Sequence, residues 1–347
     1  MKKRLTALAL AMSMTAFALT GCAGNTETTT VAATEAASET TTAAETTAAE
    51  TTAKEVESKG AIAVTYVKSP LNVPSIVEKD QQIFAEAFAE LGYDEIVYSD
   101  LTTGPEQTQA LASGDIQFLY AVGATSVILS ASNGADIKII STYSRSPEAF
   151  KLFAQDDAIQ SPEDLRGKKV AGPKGTILHE LLVAYLASAN MTEADIEFLS
   201  MGIPDAQAAL AGGSVDAALL AGPTAYNMEK DGFYVVTDGT GLTEATIVVA
   251  TSGEYAESHP EEVKTFLEAQ KAVLDYIDEN NDAAMEATAI ETELTPEAVA
   301  EMYPMYDFDM DIKESDIEAM EKTEVFMYEN AMIEERVNIE ELILSME

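Results

Sequence analysis

The sequence predicts an α/β fold built from two lobes. Short apolar runs that end in glycine, serine or proline alternate with segments whose apolar residues recur at the helical period. Alternation of this kind favours parallel strands that are joined by helices in open sheets. About 290 residues remain after a low-complexity N-terminal region, and that length suits two lobes better than one core.

A secretory signal and a tether precede the predicted folded part. Residues 2–4 are basic, residues 5–19 form an apolar run too short for a membrane-spanning helix, and Leu19-Thr20-Gly21-Cys22 follows. This tetrapeptide resembles the bacterial lipobox, in which the cysteine becomes the lipidated first residue of the mature protein. We expect a signal peptide over 1–21, lipidation at Cys22, and a disordered Thr/Ala/Glu tether over 22–59 that cannot bury a core.

Charge and cysteine content exclude several classes of partner and site. The 347 residues include 60 acidic and 20 basic side chains, and the formal net charge is −40. Such acidity argues against nucleic acid or an anionic lipid surface as a partner. Cys22 is the only cysteine, which excludes disulfides and cysteine-based metal sites. An anionic ligand therefore needs a positive potential that is local to its pocket.

Strands and helices alternate through the first part of the chain. The predicted strands cover 61–67, 95–98, 116–120 and 137–142. The predicted helices cover 76–91, a segment ending at Gly114 and a segment ending at Gly134. Ligands of open α/β sheets sit beyond the carboxyl ends of the strands. The loops that carry Ser69, Thr103 and Gly123-Ala124-Thr125 all occupy that edge.

A second alternating run starts near residue 150. Its predicted strands cover 150–153, 169–172, 197–200, 215–220 and 234–237, and its predicted helices are 176–188, one from Asp205 and one after Gly222-Pro223. A strand over 245–250 and helices near 260–279, 281–292, 295–303 and 314–333 follow. We place these helices on the first lobe.

The loop before residue 176 is the strongest candidate for an anion site. Pro173 and Gly175 make it tight, and the following helix begins with backbone N–H groups that lack partners inside the helix. Thr176 adds a hydroxyl, while Lys174 and His179 offer charge or a donor. The segment lacks the spacing of a nucleotide-binding P-loop and the second histidine of a zinc protease. An ordinary strand-to-helix connection is the alternative.

Each of the other candidates also has a structural alternative. His179 is either a donor to an oxyanion or a satisfied surface histidine. Asp205 either caps its own helix or contacts a ligand. Tyr226 belongs either to the core or to the pocket wall. The acidic segment 307–311 imitates a calcium loop, but Ile312 stands where that turn needs glycine.

An ordered set of motifs resembles the nitrate/sulfonate/taurine family of solute-binding proteins that serve ABC importers. The matching segments are 109–118, 132–138, 161–170, 174–179 and 205–217, in family order. The resemblance covers roughly 60 to 245 and implies a periplasmic-binding-protein-like fold of type II, with two crossings and a ligand cleft between the lobes. It implies a first lobe of 60–147 plus 246–347, with extra C-terminal helices, and a second lobe of 148–245.

The resemblance also implies ligand-binding residues. By position these are Ser69, Thr103, Gly123, Thr125, Gly175, Thr176, His179 and Asp205, to which the residues themselves add Lys174 and Tyr226. The chain departs from the family pattern after Asp216, where Leu220-Ala221-Gly222-Pro223 replaces a tryptophan-containing segment, and it has Gln117 where many relatives have aspartate. Tyr226 is the candidate substitute for the missing ring.

The implied function is that of an extracytoplasmic binding protein held at the bacterial cell membrane by its lipid alone. It would capture a small organic anion, such as a sulfonate, taurine or nitrate, by closing two lobes. An ABC permease with its ATPase would receive the ligand, and we expect a monomer. A pyrimidine thiamine precursor or another neutral heterocycle is the alternative ligand. No cofactor, metal, nucleic acid or catalytic residue is expected, and with two histidines a hydrolase is poorly supported.

Overall fold

Three β-sheets surrounded by helices form the part of the chain that the structure, a computed structural model, describes, namely residues 58–345. The predicted signal peptide, the lipidation site Cys22 and the tether up to residue 57 lie outside the described residues. The predicted lobes start at residues 60 and 148, so both start within the described range.

The N-terminal part contributes two sheets. Its strands are β1 (Ala61–Thr65), β2 (Glu95–Ser99), β3 (Leu119–Gly123) and β4 (Lys138–Arg145). Its helices are α1 (Val73–Gln81), α2 (Ile83–Ala89), α3 (Gly104–Ser113) and α4 (Ala124–Ser132). Strands β1 and β2 pair in parallel, with Ala61 opposite Glu95.

The middle part forms one five-stranded sheet, which we call the middle sheet. Its strands are β5 (Phe150–Ala154), β6 (Lys169–Gly172), β7 (Glu197–Ser200), β8 (Ala217–Ala221) and β9 (Tyr234–Asp238), in the order β7-β6-β8-β5-β9. Its helices are α5 (Ile177–Ala187), α6 (Ile203–Ala211) and α7 (Gly222–Lys230). Strand β6 runs parallel to β7 and β8, whereas β5 runs antiparallel to β8 and β9.

The chain then returns to the N-terminal sheets. Strand β10 (Thr246–Thr251) lies between β3 and β4 and is antiparallel to both. The remaining helices are α8 (Gly253–Ser258), α9 (Pro260–Glu279), α10 (Asn281–Thr292), α11 (Pro296–Met302), α12 (Glu314–Glu329) and α13 (Ile339–Leu342). Helix α9 packs on α2, α10 on α1, and α12 on α4.

An aromatic cluster fixes α9 to the N-terminal sheets. Phe266 of α9 stacks on Phe118 with ring centroids 4.2 Å apart, and it also contacts Phe84 at 4.6 Å and Tyr120 at 5.6 Å. All four rings are almost fully buried. Aromatic contacts of this kind add stability beyond the area they bury. The C-terminal helices are therefore part of the same core as the N-terminal strands.

The predicted order of strands and helices is confirmed, but two expectations are wrong. Purely parallel pairing fails because β5 and β10 enter their sheets without a preceding crossover helix, which leaves them free to run antiparallel. The single helix expected over 76–91 breaks at Gln82, which has a left-handed φ of 60°. Helices α8 and α13 were not predicted.

A buried carboxyl lies at the break between α1 and α2. Glu78 accepts a hydrogen bond from the Phe84 N–H at 3.1 Å and from the Tyr98 hydroxyl at 2.9 Å, so it caps the start of α2. Its second oxygen, Oε2, is buried without a hydrogen-bond partner. Burial raises the pKa of Glu78 to about 7, against the opposing effect of these two hydrogen bonds.

We expect Glu78 to make the protein less stable as the pH rises from about 4.5 to about 7. A carboxyl whose pKa is higher in the folded state than in the unfolded state stabilises the fold when protonated, and this stabilisation is lost as it ionises. The loss attributable to Glu78 is about 3 kcal/mol at most. Urea unfolding of the parent and of Glu78→Gln at both ends of this range measures it.

The exposed residue Glu90, at the end of α2, provides the matched control. Glu90→Gln should keep the pH dependence of the parent, whereas Glu78→Gln should flatten it. Equal pH dependence in parent and Glu78→Gln would contradict the assignment.

Candidate ligand-binding site

A small cavity lies where loops of the N-terminal sheets meet loops of the middle sheet. Its volume is about 70 Å³, and its lining residues come from 67–126 and 247 on one side and from 150–221 on the other. One water needs about 10–15 Å³ to fit at all, so the cavity has room for more than one water-sized group. A ligand that fills it is therefore small.

Five helices begin at this cavity. The residues at their caps or first positions that line it are Gly104 of α3, Gly123 before α4, Thr176 before α5, Ile203 of α6 and Ala221 before α7. Within residues 58–345, no side chain caps α4, α5, α6 or α7. Their first backbone N–H groups lack side-chain acceptors, and each helix start carries a partial positive charge. Together they favour an anion.

The wall of the cavity is uncharged. Its lining residues within the described chain include no Asp, Glu, Lys, Arg or His. Ser126 Oγ donates to the Gly175 carbonyl at 2.8 Å, and Thr176 Oγ1 donates to the Pro173 carbonyl at 2.8 Å. Ser69 Oγ and Gln107 Oε1 are buried without a hydrogen-bond partner. Any positive potential in the cavity therefore comes from the helix starts.

Three of the ten predicted ligand-binding residues line the cavity, namely Ser69, Gly123 and Thr176. Thr103 forms a capping box with Glu106 at the start of α3, and its neighbour Thr102 lines the cavity in its place. Thr125 is buried behind the cavity wall. Its hydroxyl donates to Glu180 Oε2 at 2.5 Å.

Lys174, Gly175 and His179 line a different cavity, of about 540 Å³. His179 is buried, so the interpretation as a surface histidine is wrong. Its Nδ1 accepts from the Gly175 N–H at 3.3 Å, and its Nε2 meets Glu193 Oε2 at 2.5 Å. Burial lowers the pKa of His179, and Glu193 opposes that shift. Glu193 Oε1 also accepts from Lys174 Nζ at 3.0 Å, so Glu193 contacts the side chains of both Lys174 and His179.

Asp205 and Tyr226 lie away from the small cavity. Asp205 is exposed in the first turn of α6, and the interpretation that it caps this helix is wrong because α6 begins at Ile203 with Gly202 as its cap. Tyr226 lines a third cavity, of about 60 Å³, and its hydroxyl donates to Glu301 at 2.9 Å. Its ring therefore does not take the place of the missing tryptophan in the small cavity.

The guanidinium of Arg145 organises the acidic segment near 307–311. The guanidinium donates to the carbonyl oxygens of Asp309 and Asp311, each at 3.0 Å, and pairs with Asp316 at 2.5 Å. Among residues 58–345, no group of three or more His, Cys, Asp or Glu side chains is placed to hold a metal ion.

Glycines allow the two sides of the cavity to approach closely. Gly222 has a φ of 60°, and a Cβ at this position would lie 1.6 Å from the Pro70 carbonyl oxygen. A Cβ on Gly175 would lie 2.8 Å from a methyl carbon of Leu129. Gly175 and Gly222 belong to the middle part of the chain, whereas Pro70 and Leu129 belong to the N-terminal part. The two parts can approach this closely only because neither glycine carries a side chain.

A buried carboxyl links the two sides behind the cavity. Glu180 of α5 accepts from Thr125 Oγ1 of α4 at 2.5 Å and from Thr323 Oγ1 of α12 at 3.0 Å. Burial raises the pKa of Glu180, while these hydroxyls act in the opposite direction. Helix α5 is therefore joined through one side chain to α4 and α12.

We expect Thr125→Val to lower the free energy of unfolding by about 1–3 kcal/mol at neutral pH, because a buried carboxyl oxygen then loses its donor. Thr288→Val is the matched control, since the Thr288 hydroxyl is also buried but donates only to the Ala284 carbonyl of its own helix. Chemical denaturation measures both. A Thr125→Val cost no larger than that of Thr288→Val would show that the link to Glu180 contributes nothing.

Solved structures share this fold. The alkanesulfonate-binding protein SsuA of Xanthomonas axonopodis pv. citri, bound to MOPS, superimposes with a TM-score of 0.75 at 21% identity over 83% of this chain and 99% of that one. The CA3427 product of Candida albicans, described as having the generic periplasmic binding protein fold, gives 0.68 at 14% identity over 83% and 98%. The predicted fold class is confirmed.

Sequence comparison gives relatives and a family. The aliphatic sulfonates-binding protein of Escherichia coli K12, itself described as putative, is 28% identical over 58% of this chain and 62% of its own length. The taurine-binding periplasmic protein of the same organism is 30% identical over 47% and 52%. The matches thus span less than two thirds of either relative. The NMT1/THI5-like family profile matches residues 96–284, more than half of the chain, and the protein belongs to this family.

Proposed function

We propose that the protein is an extracytoplasmic solute-binding protein of an ABC importer and that it captures a small sulfonate-type anion. The observation that carries this proposal is the convergence of five helix starts on one small uncharged cavity. The names of the two Escherichia coli relatives support the ligand class, and a Brachyspira hyodysenteriae relative described as a putative ABC transporter periplasmic binding protein, 36% identical over 78 residues, supports the transporter.

The proposed mechanism is closure of two lobes around the anion. We assign 60–147 and 246–347 to one lobe and 148–245 to the other, so that α3 and α4 face α5, α6 and α7 across the cavity. An anion between them would accept N–H groups from both lobes only when they are close together. It would therefore bind the closed state more tightly and shift the population toward it.

The other elements of the proposal follow from this role. Lipidation of Cys22 would hold the protein at the membrane, while the partners would be a permease and its ATPase, with the protein as a monomer. None of the helices within 58–345 combines the length and the apolar character that crossing a membrane requires. No catalytic step is assigned, and nitrate is included among the anions to be tested.

The alternative ligand, a pyrimidine or another neutral heterocycle, receives less support. An aromatic sandwich would favour it, but Phe150 is the one aromatic residue among the described residues that line the cavity. A cavity of about 70 Å³ is also small for a substituted ring.

We expect ethanesulfonate to bind the purified protein and to raise its melting temperature, because its charge meets the helix starts. Ethyl methyl sulfone has nearly the same shape without the charge and should bind at least about a hundredfold more weakly. Isothermal titration calorimetry with these two compounds, nitrate and a pyrimidine compares them directly. Equal affinity for the sulfone and the sulfonate, or tighter binding of the pyrimidine, would contradict the proposal.

We expect Gly222→Ala to weaken ethanesulfonate binding by at least about tenfold, because the added Cβ would collide with the Pro70 carbonyl oxygen when the lobes close. Gly167→Ala is the matched control. Gly167 has a similar φ of 67°, but a Cβ added there would meet nothing within 4 Å, so this variant carries the same backbone strain without the collision. Equal affinities of the two variants, by calorimetry, would show that closure at Gly222 does not control binding.

A further inference from the structure

We propose that Gln107 makes the cavity selective for a sulfonate whose tail carries an uncharged hydrogen-bond donor, such as a hydroxyalkanesulfonate. The inference rests on the proposed function and names the ligand class of the same site. It assigns to Gln107 a role in specificity that was not predicted from the sequence.

The orientation of the Gln107 amide follows from its neighbours. The side chain is only 3% exposed, in the first turns of α3. Its Nε2 donates to the Leu101 carbonyl at 3.3 Å. A flip of the amide would place its oxygen against that carbonyl, and two acceptors would then face each other. The nitrogen is therefore committed to Leu101, and the oxygen is the atom left over.

That oxygen has no partner in the protein. Gln107 Oε1 is buried and makes no hydrogen bond, and the residue lines the cavity. A buried acceptor without a donor costs free energy, which a ligand that supplies an O–H or N–H recovers. Ser69 Oγ is also unpartnered, but a hydroxyl can donate or accept and therefore does not discriminate between ligands. Gln107 Oε1 can only accept.

The charge around the cavity decides which donor is accepted. An ammonium group taken out of water needs a carboxylate or several acceptors to compensate. Among the described residues that line the cavity there is no carboxylate to pair with an ammonium, and four of the five helix starts have no side-chain cap. A hydroxyl meets Gln107 Oε1 without carrying a charge. The site therefore favours a hydroxyl over an ammonium at the same position.

The size of the cavity limits the length of the tail. A volume of about 70 Å³ favours a short tail. Two-carbon sulfonates with at most one further polar atom are therefore the compounds to compare. Three such compounds differ only at the end of the tail: ethanesulfonate has no donor, 2-hydroxyethanesulfonate has a neutral donor, and 2-aminoethanesulfonate has a charged one.

Calorimetric titration of the parent protein with these three compounds tests the inference without any variant. We expect 2-hydroxyethanesulfonate to bind about five- to tenfold more tightly than ethanesulfonate, and at least about tenfold more tightly than 2-aminoethanesulfonate. If the amino compound binds as tightly as the hydroxy compound, or if ethanesulfonate does, the inference is overturned while the proposed function stands. If none of the three binds, the proposed function itself fails.

Two variants of Gln107 assign the selectivity to this side chain. Gln107→Leu removes the acceptor at similar volume and should erase the difference in affinity between the hydroxy compound and ethanesulfonate. Gln107→Glu supplies a carboxylate and should improve the affinity for 2-aminoethanesulfonate relative to the hydroxy compound. Melting temperatures without ligand verify folding of both variants. A hydroxy preference that survives in Gln107→Leu would overturn the assignment.

Discussion

The starts of five helices line one small cavity, and the candidate site depends on this convergence. It follows from the path of the chain, because α4 follows β3, α5 follows β6, α6 follows β7 and α7 follows β8, while α3 follows β2. Each helix therefore begins at the carboxyl end of a strand, the edge at which open α/β sheets place their ligands. Backbone N–H groups from both sides can then act on one anion without any charged side chain.

This arrangement reconciles an acidic protein with the anionic ligand that we propose. A formal net charge of −40 repels anions over the surface as a whole. The lining of the small cavity holds no charged side chain among the described residues and includes five helix starts, which oppose that repulsion locally. Glu106, Glu180 and Asp205, in the first turns of α3, α5 and α6, act in the opposite direction. The basic side chains next to lining residues in the sequence are used elsewhere: Lys68 pairs with Glu291, Lys151 with Glu229 and Lys174 with Glu193. The site therefore relies on the backbone.

Much of the fold could be predicted from the sequence, because strand and helix patterns depend on local periodicity. The antiparallel direction of β10 could not, although the strand itself was predicted, since pairing direction depends on contacts distant in sequence. The break at Gln82 also gave no signal, because the carboxylate of Glu78 that accepts from the Phe84 N–H beyond the break is held there by burial in the folded protein. At the site, the loop positions of Ser69, Gly123 and Thr176 were enough to predict that they line the cavity. Thr125 and His179 face elsewhere, because successive helical residues point about 100° apart. Gln107 belongs to no motif, and only its burial and its unpaired oxygen identify it.

A crystal structure of the protein with 2-bromoethanesulfonate tests the central claim most directly, because the anomalous signal of bromine locates the ligand without ambiguity. We predict a sulfonate in the small cavity between the N-terminal sheets and the middle sheet. Its oxygens should lie about 2.7–3.2 Å from backbone nitrogens in the first turns of both α4 and α5. A sulfonate bound instead in the cavity beside His179 and Glu193, or held by side chains alone, would contradict it.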